Sequence, residues 1–282
     1  MRFRILRIVN TKTMMQDWKR EILYVEMKII ELLDGSTWDM ETLKAKMHDD
    51  DFYYGNLSKN ALSSSACKLL LTSPKTYHYV TKYGSQDSDA FAVGRLVHLM
   101  ALEPHRVEEY KVIEVQSKNA KAWQEAKGER NLCTRKEMDE AQRIADALLR
   151  NEYFLSMIEG CEFEKPAIGL IEGMPFRAKA DIIADGFLAD LKTTTDLRAF
   201  PYSAKKYGYD VQAFIYTRLF GIPIDKFYFI AIDKASLDVG IYSISPEFVA
   251  EGERKTLEAI ELYKQFFILG EDLDSYTIFG EL

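Results

Sequence analysis

Residues 176–194 of this 282-residue chain read FRAKADIIADGFLADLKTT, and this stretch decides the fold. Asp185-Gly186 at its centre is a strong two-residue turn signal, because both residues tolerate the positive φ of a tight hairpin. The flanking segments have the length and alternation of strands. The sequence therefore predicts a β-hairpin in which Ala184 pairs with Phe187.

The predicted register places two carboxylates on one face of this hairpin. Counting outward from the turn pairs Asp181 with Asp190, and alternation puts Lys192 on the same face. Directly opposed Cβ atoms lie about 4.5–5.5 Å apart, so like charges there destabilise a sheet unless a cation or a shared proton lies between them. An ordinary solvated strand face is the alternative. The other face is predicted to be apolar throughout: Ala178, Ala180, Ile182, Ala184, Phe187, Ala189 and Leu191.

A bound Mg²⁺ would resolve the conflict between the two carboxylates, because this ion takes hard oxygen ligands, commonly carboxylates together with water and substrate phosphate. Lys192 could then orient or help deprotonate the attacking water, or neutralise charge on a scissile phosphate. Metal-assisted phosphodiester hydrolysis uses these components. The pattern thus predicts a metal-dependent nuclease centre at Asp181, Asp190 and Lys192.

The elements around the hairpin predict an α/β (α+β) fold with a central mixed β-sheet flanked by helices. We expect strands over 163–169, 174–183, 187–193, 226–232 and 239–244. We expect helices after the serine cluster at 63–65, over 90–102, within 118–150, over 203–220 and over 246–269.

Residues 1–50 are predicted to form a helical appendage, and residues 51–282 the nuclease domain. A second short helix over 40–47 precedes the acidic run 48–51, which we interpret as a solvated linker in preference to a metal site. The appendage helix is predicted from apolar residues at near-helical spacing: Trp18, Ile22, Leu23, Val25, Ile29, Ile30 and Leu33.

Composition limits the class of protein. The formal net charge of −7 disfavours nucleic-acid binding, although a basic channel can lie on an acidic body. Cys67, Cys133 and Cys161 form no CxxC pair, which argues against structural zinc and iron–sulfur sites. No apolar run reaches the length of a membrane span, and the first residues lack the features of a secretory signal. We expect a cytoplasmic protein without a membrane partner.

Four short motifs resemble those of the RecB-type branch of the PD-(D/E)xK nuclease superfamily, and they occur in the family's order. LSSSACKLLLTSPKTY at 62–77 is similar to the opening of RecE-like phage exonucleases, the exodeoxyribonuclease VIII family. VGRLVH at 93–98 resembles the GxxxH motif, Asp181 with DLK at 190–192 the D…DxK motif, and VQAFIY at 211–216 the QxxxY motif. The resemblance spans about residues 57–270 and implies a restriction-endonuclease-like core.

This resemblance implies roles for residues whose pattern alone is ambiguous. His98 follows Gly94 by four residues on one helix face, where pattern alone indicates a core histidine and the resemblance implies a metal ligand or another active-site partner. Gln212 and Tyr216 form a similar pair, which pattern alone assigns to helix packing. By resemblance they line the catalytic groove and contact DNA.

The resemblance also implies an acidic ligand on the strand before the hairpin, and we favour Glu164 over Glu172, whose neighbour Gly173 indicates a turn. The predicted metal ligands are then His98, Glu164, Asp181 and Asp190. The predicted catalytic residues are Asp181, Asp190, Lys192, Gln212 and Tyr216.

Further residues are candidates for contact with DNA. Ser65 and Lys68 lie at a predicted helix N-terminus and could hold a phosphate, with a simple N-cap as the equal alternative. Thr193 and Thr194 could donate hydrogen bonds to phosphate or merely favour a strand. Candidates for lining a basic channel are Lys68, Lys75, Lys82, Lys205 and Lys206.

Taken together, the resemblance implies a Mg²⁺-dependent exodeoxyribonuclease, with Mn²⁺ able to substitute, that degrades linear double-stranded DNA 5′-to-3′ for homologous recombination. The implied partners are duplex ends, a single-strand-annealing (RecT-like) recombinase and further copies of the chain in a closed ring. The chain lacks the very long N-terminal region of the enterobacterial RecE protein, which favours a compact phage-type nuclease. An endonuclease using the same centre and a catalytically inert DNA-binding or assembly protein stay open as alternatives.

Overall fold

A five-stranded mixed sheet forms the centre of the fold in the computed structural model, which describes residues 28–84, 89–115, 117–129 and 131–279. The strands are β1 (Ile29–Glu31), β2 (Thr37–Asp39), β3 (Lys111–Ile113), β4 (Leu132–Thr134), β5 (Glu162–Ile171), β6 (Met174–Ala184), β7 (Phe187–Thr194), β8 (Phe227–Asp233) and β9 (Val239–Ser243). The central sheet has the order β5-β6-β7-β8-β9, in which only β7 and β8 run parallel. The predicted mixed sheet is confirmed.

Helices cover both faces of this sheet. The α-helices within the described residues are α1 (Met40–Lys46), α2 (Leu57–Asn60), α3 (Ser64–Thr72), α4 (Pro74–Tyr83), α5 (Asp89–Leu102), α6 (Lys121–Ala126), α7 (Arg135–Leu148), α8 (Glu152–Ile158), α9 (Phe200–Lys206), α10 (Tyr209–Phe220) and α11 (Pro246–Tyr263). On one face α10 packs against β5, β6, α3 and α11, and on the other α5 packs against β6, β7 and α7. A separate apolar core lies on each side of the sheet.

The hairpin of β6 and β7 has the predicted register beside its turn. Ala184 pairs with Phe187, Ile183 with Leu188 and Ile182 with Ala189. Within 174–194 the ladder ends there, so the predicted pairing of Asp181 with Asp190 is wrong. The physical reason is that the Asp181 carboxylate takes the place of a ladder carbonyl, since its Oδ2 accepts the Leu191 N–H at 2.8 Å.

This departure from the ladder also changes the faces of β6. Ala178 and Ala180 pack into one core together with Ile183, whereas Ile182 packs into the opposite core with Leu191. The predicted single apolar face is therefore wrong, because side-chain alternation is interrupted at Asp181. Both faces of the hairpin are buried, which agrees with a covered sheet and not with a solvated strand face.

One predicted helix differs from the observed ones. The segment predicted as one helix over 203–220 forms α9 and α10, separated at Gly208, whose φ of +66° ends a helical path. The helix after the serine cluster ends at Thr72, and Pro74 occupies the first turn of α4, where proline's missing N–H costs nothing. The serine cluster caps α3 through Ser63.

The N-terminal region differs more from its prediction. Residues 1–27, with Trp18, Ile22, Leu23 and Val25, lie outside the described residues. Ile29 and Ile30 belong to a β-hairpin and not to a helix, since Gly35 in the left-handed region (φ +79°) forms a tight turn between β1 and β2. The predicted helix over 40–47 is confirmed as α1. The proposed boundary at residue 50 stays a prediction.

The acidic run 48–51 is more than a solvated linker. Asp50 accepts hydrogen bonds from Arg106 and from Lys179, which lies 129 residues further along the chain. The β1–β2 hairpin, α1 and the segment after α1 form a third apolar core that includes Ile168 of β5.

In the part of the chain that the structure describes, no helix is long and apolar enough to cross a membrane.

Candidate active site

Three potential metal ligands lie together near the point where the pairing between β6 and β7 ends. His98 on α5, Glu164 on β5 and Asp181 on β6 place one ligand atom each within 4.8 Å of the others. His98 Nδ1 lies 3.4 Å from Asp181 Oδ2. The structure thus brings together three of the four predicted ligands and favours Glu164 over Glu172, which lies in the β5–β6 turn.

The carboxylate that faces Asp181 across the sheet comes from β5. Glu164 stands between the paired positions Phe163↔Ile182 and Lys165↔Ala180, opposite Asp181. Its φ of +50° lies in the left-handed region, which costs a non-glycine residue on the order of 1 kcal/mol and persists where the surroundings hold the residue there. The acid opposite Asp181 is therefore Glu164 of β5 and not Asp190 of β7, as the predicted register had it.

Burial makes this acid pair costly when it carries no cation. Burial, followed by the negative charge of Asp181, raises the pKa of Glu164 to about 7. Burial and then the charge of Asp190 raise the pKa of Asp181 well above its ordinary value. Burial and the nearby Lys192 lower the pKa of His98, so its imidazole is neutral at neutral pH and keeps a lone pair for a metal ion.

Asp190 is held by other partners. Its side chain is 1% exposed, it forms an ion pair with Lys192, and its Oδ1 accepts a hydrogen bond from Gln212 Nε2 at 2.5 Å. It is not part of the three-residue group formed by His98, Glu164 and Asp181. Gln212 on α10, which was predicted to be catalytic, therefore lies next to Asp190 and orients its carboxylate.

Lys192 lies between the Asp190 carboxylate and the rings of two aromatic residues. Its Nζ is 4.8 Å from the centroid of the Tyr209 ring and 5.9 Å from that of Phe229. Burial lowers its pKa, but the charges of Asp190 and Asp181 outweigh this effect and leave the pKa raised. The lysine is therefore a cation fixed within the site.

Lys68 is a second cation on the same tyrosine. Its Nζ lies 5.9 Å from the centroid of the Tyr209 ring, and burial, followed by repulsion from Lys192, lowers its pKa to about 8. Ser65, predicted to act with it, is exposed on α3, and the N-cap of that helix is Ser63. The structure thus places Lys68 beside the centre and Ser65 at the surface.

The remaining predicted residues have local partners. Tyr216 is buried, and its hydroxyl donates to the Lys179 carbonyl at 3.0 Å, which ties α10 to β6. Thr194 Oγ1 exchanges hydrogen bonds with the backbone of Asp196 at 3.3 Å. A Cβ built on Gly94 would lie 3.4 Å from Thr193 Oγ1, so α5 approaches β7 closely at that residue.

The basic residues predicted to line a channel are dispersed. Lys75 pairs with Asp274 at 2.6 Å, and Lys82 lies over the ring of Tyr83. Lys205 and Lys206 are exposed on α9, and Lys206 lies 5.7 Å from the centroid of the Tyr207 ring. Of the five candidates, Lys68 contacts the same tyrosine ring as Lys192.

Sequence reasoning missed three residues that shape the site. Tyr209 contacts both Lys192 and Lys68, and only its place after the left-handed Gly208 distinguishes it from other tyrosines. Lys179 belongs to none of the motifs, so its residue type and spacing did not single it out. Asp50 reaches Lys179 through a tertiary contact that no spacing reveals.

Comparison with known proteins places this geometry in a family. Residues 63–271, more than half of the chain, match the family described as PDDEXK-like domain of unknown function (DUF3799). A comparison with curated proteins gave no significant match.

One solved structure shows a similar fold over most of this chain. A candidate exonuclease from Eubacterium rectale superimposes with a TM-score of 0.57 at 16% identity, with coverage of 83% of this chain and 94% of that one. A phage-related exonuclease from Haemophilus somnus 129PT gives a TM-score of 0.34 at 14% identity, with coverage of 76% of this chain and 98% of that one.

Proposed function

We propose that this chain, which belongs to the PDDEXK-like family DUF3799, is a metal-dependent nuclease. The observation that carries the proposal is the group of His98, Glu164 and Asp181, whose ligand atoms lie within 4.8 Å of one another. Lys192, the lysine of the family-like DLK motif, lies beside that group and lowers the pKa of His98. Metal-assisted phosphodiester hydrolysis uses a set of metal ligands together with a fixed positive charge.

The donor set fits a divalent cation. Two buried carboxylates with raised pKa values need a positive partner, and they supply the oxygen ligands that Mg²⁺ prefers. Mn²⁺ also takes carboxylate and water ligands, so we expect it to substitute. When bound, such a cation supplies Lewis-acid stabilisation of the phosphate and a more acidic water.

The chain's own residues then bind and orient the substrate. Lys192, between Asp190 and the Tyr209 ring, supplies positive charge where a phosphate enters. Gln212 holds the Asp190 carboxylate, and so keeps Lys192 in a fixed position. Lys68, on the same tyrosine, adds a second positive charge within reach of the substrate.

The substrate we propose is DNA, and α9 offers a surface suited to a nucleic-acid strand. Tyr202 and Tyr207 are 71% and 54% exposed, and they flank Lys205 and Lys206, which form no ion pair within the described parts of the chain. Exposed aromatic rings among lysines are typical of sites where bases stack and phosphates pair. The Tyr207 and Tyr209 rings lie 6.2 Å apart, so this surface continues to the centre.

The finer function follows from the RecE-like motifs. We propose an exodeoxyribonuclease that degrades linear duplexes 5′-to-3′ in recombination, acts in the cytoplasm and delivers a strand to an annealing recombinase, with several copies forming a ring. A ring would concentrate the exposed lysines of α9 around the duplex, which offsets the net charge of −7.

The test is digestion of an end-labelled linear duplex in Mg²⁺, in Mn²⁺ and in EDTA. We expect cleavage only with a divalent cation, and loss of cleavage in Asp181→Asn, Asp190→Ala and Lys192→Met with folding retained. Glu164→Gln should abolish cleavage, whereas Glu172→Gln, in the nearby turn, should not. Full activity in Asp181→Asn would contradict the site.

A covalently closed circular duplex separates the alternatives. An exonuclease leaves the circle intact and digests it only after linearisation, whereas an endonuclease cuts both forms. Binding to linear duplex without cleavage in either metal ion would favour the catalytically inert protein.

A further inference from the structure

Lys179 is a buried cation beside the proposed metal ligands. It lies on β6 two residues before Asp181, and its side chain is 12% exposed. Its Nζ is 2.9 Å from Asp50 Oδ1 but 3.7 Å from Glu164 Oε2. A charge-assisted hydrogen bond between an ammonium and a carboxylate spans about 2.7–2.9 Å, so Lys179 is bonded to Asp50 and only loosely paired with Glu164.

Asp50 is itself firmly held. Its Oδ2 accepts from Arg106 Nη2 at 2.6 Å, and Arg106 is fixed in turn by Glu103 and Glu109 at 3.2 Å and 3.0 Å. The pKa of Asp50 is lowered, because hydrogen bonds from Lys179 and Arg106 outweigh its burial. It is therefore a negative charge at a fixed position.

Two aromatic rings restrict the position of the Lys179 ammonium. Its Nζ lies 5.4 Å and 5.2 Å from the ring centroids of Tyr53 and Tyr54, which confine it on the side of the N-terminal segment. Without Asp50, the nearest carboxylate left to it is that of Glu164. An ammonium that closes on Glu164 would occupy the oxygen that a metal ion requires.

We propose that Asp50 is a positioning residue that holds Lys179 away from Glu164 and so keeps Glu164 available to a divalent cation. This rests on the proposed metal-binding role of Glu164. Asp50 lies upstream of the family-matched residues 63–271, so the segment before the matched domain completes the centre. Partners of metal ligands of this kind typically change metal affinity about 10–100-fold when they are removed.

The experiment measures Mn²⁺ binding to the full chain by isothermal titration calorimetry, without DNA. We expect Asp50→Asn to weaken binding about tenfold. Asp49→Asn, which removes the same charge from an exposed neighbour, should bind like wild type. The double variant Asp50→Asn/Lys179→Met should recover the affinity, because the competing ammonium is gone, and Lys179→Met alone should bind at least as tightly as wild type.

The outcomes separate this inference from the proposed function. Wild-type affinity in Asp50→Asn, or a double variant as weak as Asp50→Asn, would overturn the positioning role. If wild type does not bind Mn²⁺, or if Glu164→Gln binds it equally well, the metal centre itself is wrong. Should Asp50→Asn not fold, Lys179→Met decides alone, since a merely structural lysine would weaken binding when replaced.

Discussion

Glu164 makes the stability of the metal-free protein depend on pH. Its pKa of about 7 in the folded chain compares with an ordinary value of 4.5, and burial is the main cause. A group whose folded pKa is raised contributes stability that is fully present below the unfolded pKa and is lost as the pH rises through the folded pKa. The difference of about 2.5 pH units, at about 1.36 kcal/mol each, corresponds to about 3 kcal/mol lost between pH 4.5 and pH 7.

Replacement of this carboxyl by a neutral amide should remove that loss. In EDTA we expect the free energy of unfolding of wild type to fall by about 2–3 kcal/mol more than that of Glu164→Gln as the pH rises from about 5 to 8. A smaller slope should remain in the variant, since the pKa of Asp181 is raised as well. Urea-induced unfolding at several pH values, followed by tryptophan fluorescence, measures both curves.

The matched control is Glu172→Gln, which alters an exposed glutamate in the β5–β6 turn and should give a curve parallel to that of wild type. The reasoning would be refuted if Glu164→Gln also ran parallel to wild type. In that case Glu164 ionises in the folded chain without a loss of stability. Its carboxylate then does not need a cation to offset such a loss.

Three further perturbations test the packing and the substrate surface. Gly252→Ala should destabilise the fold by about 3 kcal/mol or more in urea unfolding, because its Cβ would lie 2.0 Å from the Asp210 carbonyl oxygen; Gly55→Ala, with nothing within 4 Å of the added atom, should not. Charge reversal of Lys205 and Lys206 should weaken binding of a single-stranded oligonucleotide in EDTA. The slope of log affinity against log salt concentration should fall in magnitude by about 1.4, because two phosphate contacts are lost. An unchanged slope would exclude α9 from the contact with the oligonucleotide. Tyr216→Phe should lower stability by about 1 kcal/mol without changing Mn²⁺ affinity, as the lost hydrogen bond goes to backbone; weaker metal binding would instead place the hydroxyl in the centre.

The sequence predicted the hairpin well near its turn and poorly at the site. Side-chain alternation and the Asp185-Gly186 turn fix the register locally, which is why the pairs from Ala184 to Ile182 are as predicted. The register fails at Asp181 because a side chain replaces a backbone acceptor there. Strand periodicity assumes that every ladder bond is made by the backbone, so it cannot anticipate this exchange.

The membership of the site was predictable where a motif carried it. His98, Asp181, Lys192 and Gln212 all meet in one place, as the family-like motifs indicated. Glu164 was favoured over Glu172 because the resemblance implies an acidic ligand on the strand before the hairpin and Gly173 indicates a turn, and the structure places Glu164 beside Asp181 and His98.

Contacts between distant segments were out of reach of pattern. The end of the predicted N-terminal helix, at Ile29 and Ile30, lies instead in the β1–β2 hairpin, because apolar spacing over a short window fits both structures and Gly35 forms the turn. The contact of Asp50 with Lys179 joins segments 129 residues apart, and no local rule relates them.

The third apolar core has a practical consequence for anyone who shortens this protein. A recombinant fragment that starts at residue 63 would retain every family-like motif from Gly94 onward, yet it would lose the backbone hydrogen bonds between Leu62 and the start of β6. It would also uncover Ile168 and strip Lys179 of its acidic partner. Such a fragment would be prone to aggregation along β5, and inactivity in it would say nothing about the chemistry of the intact chain.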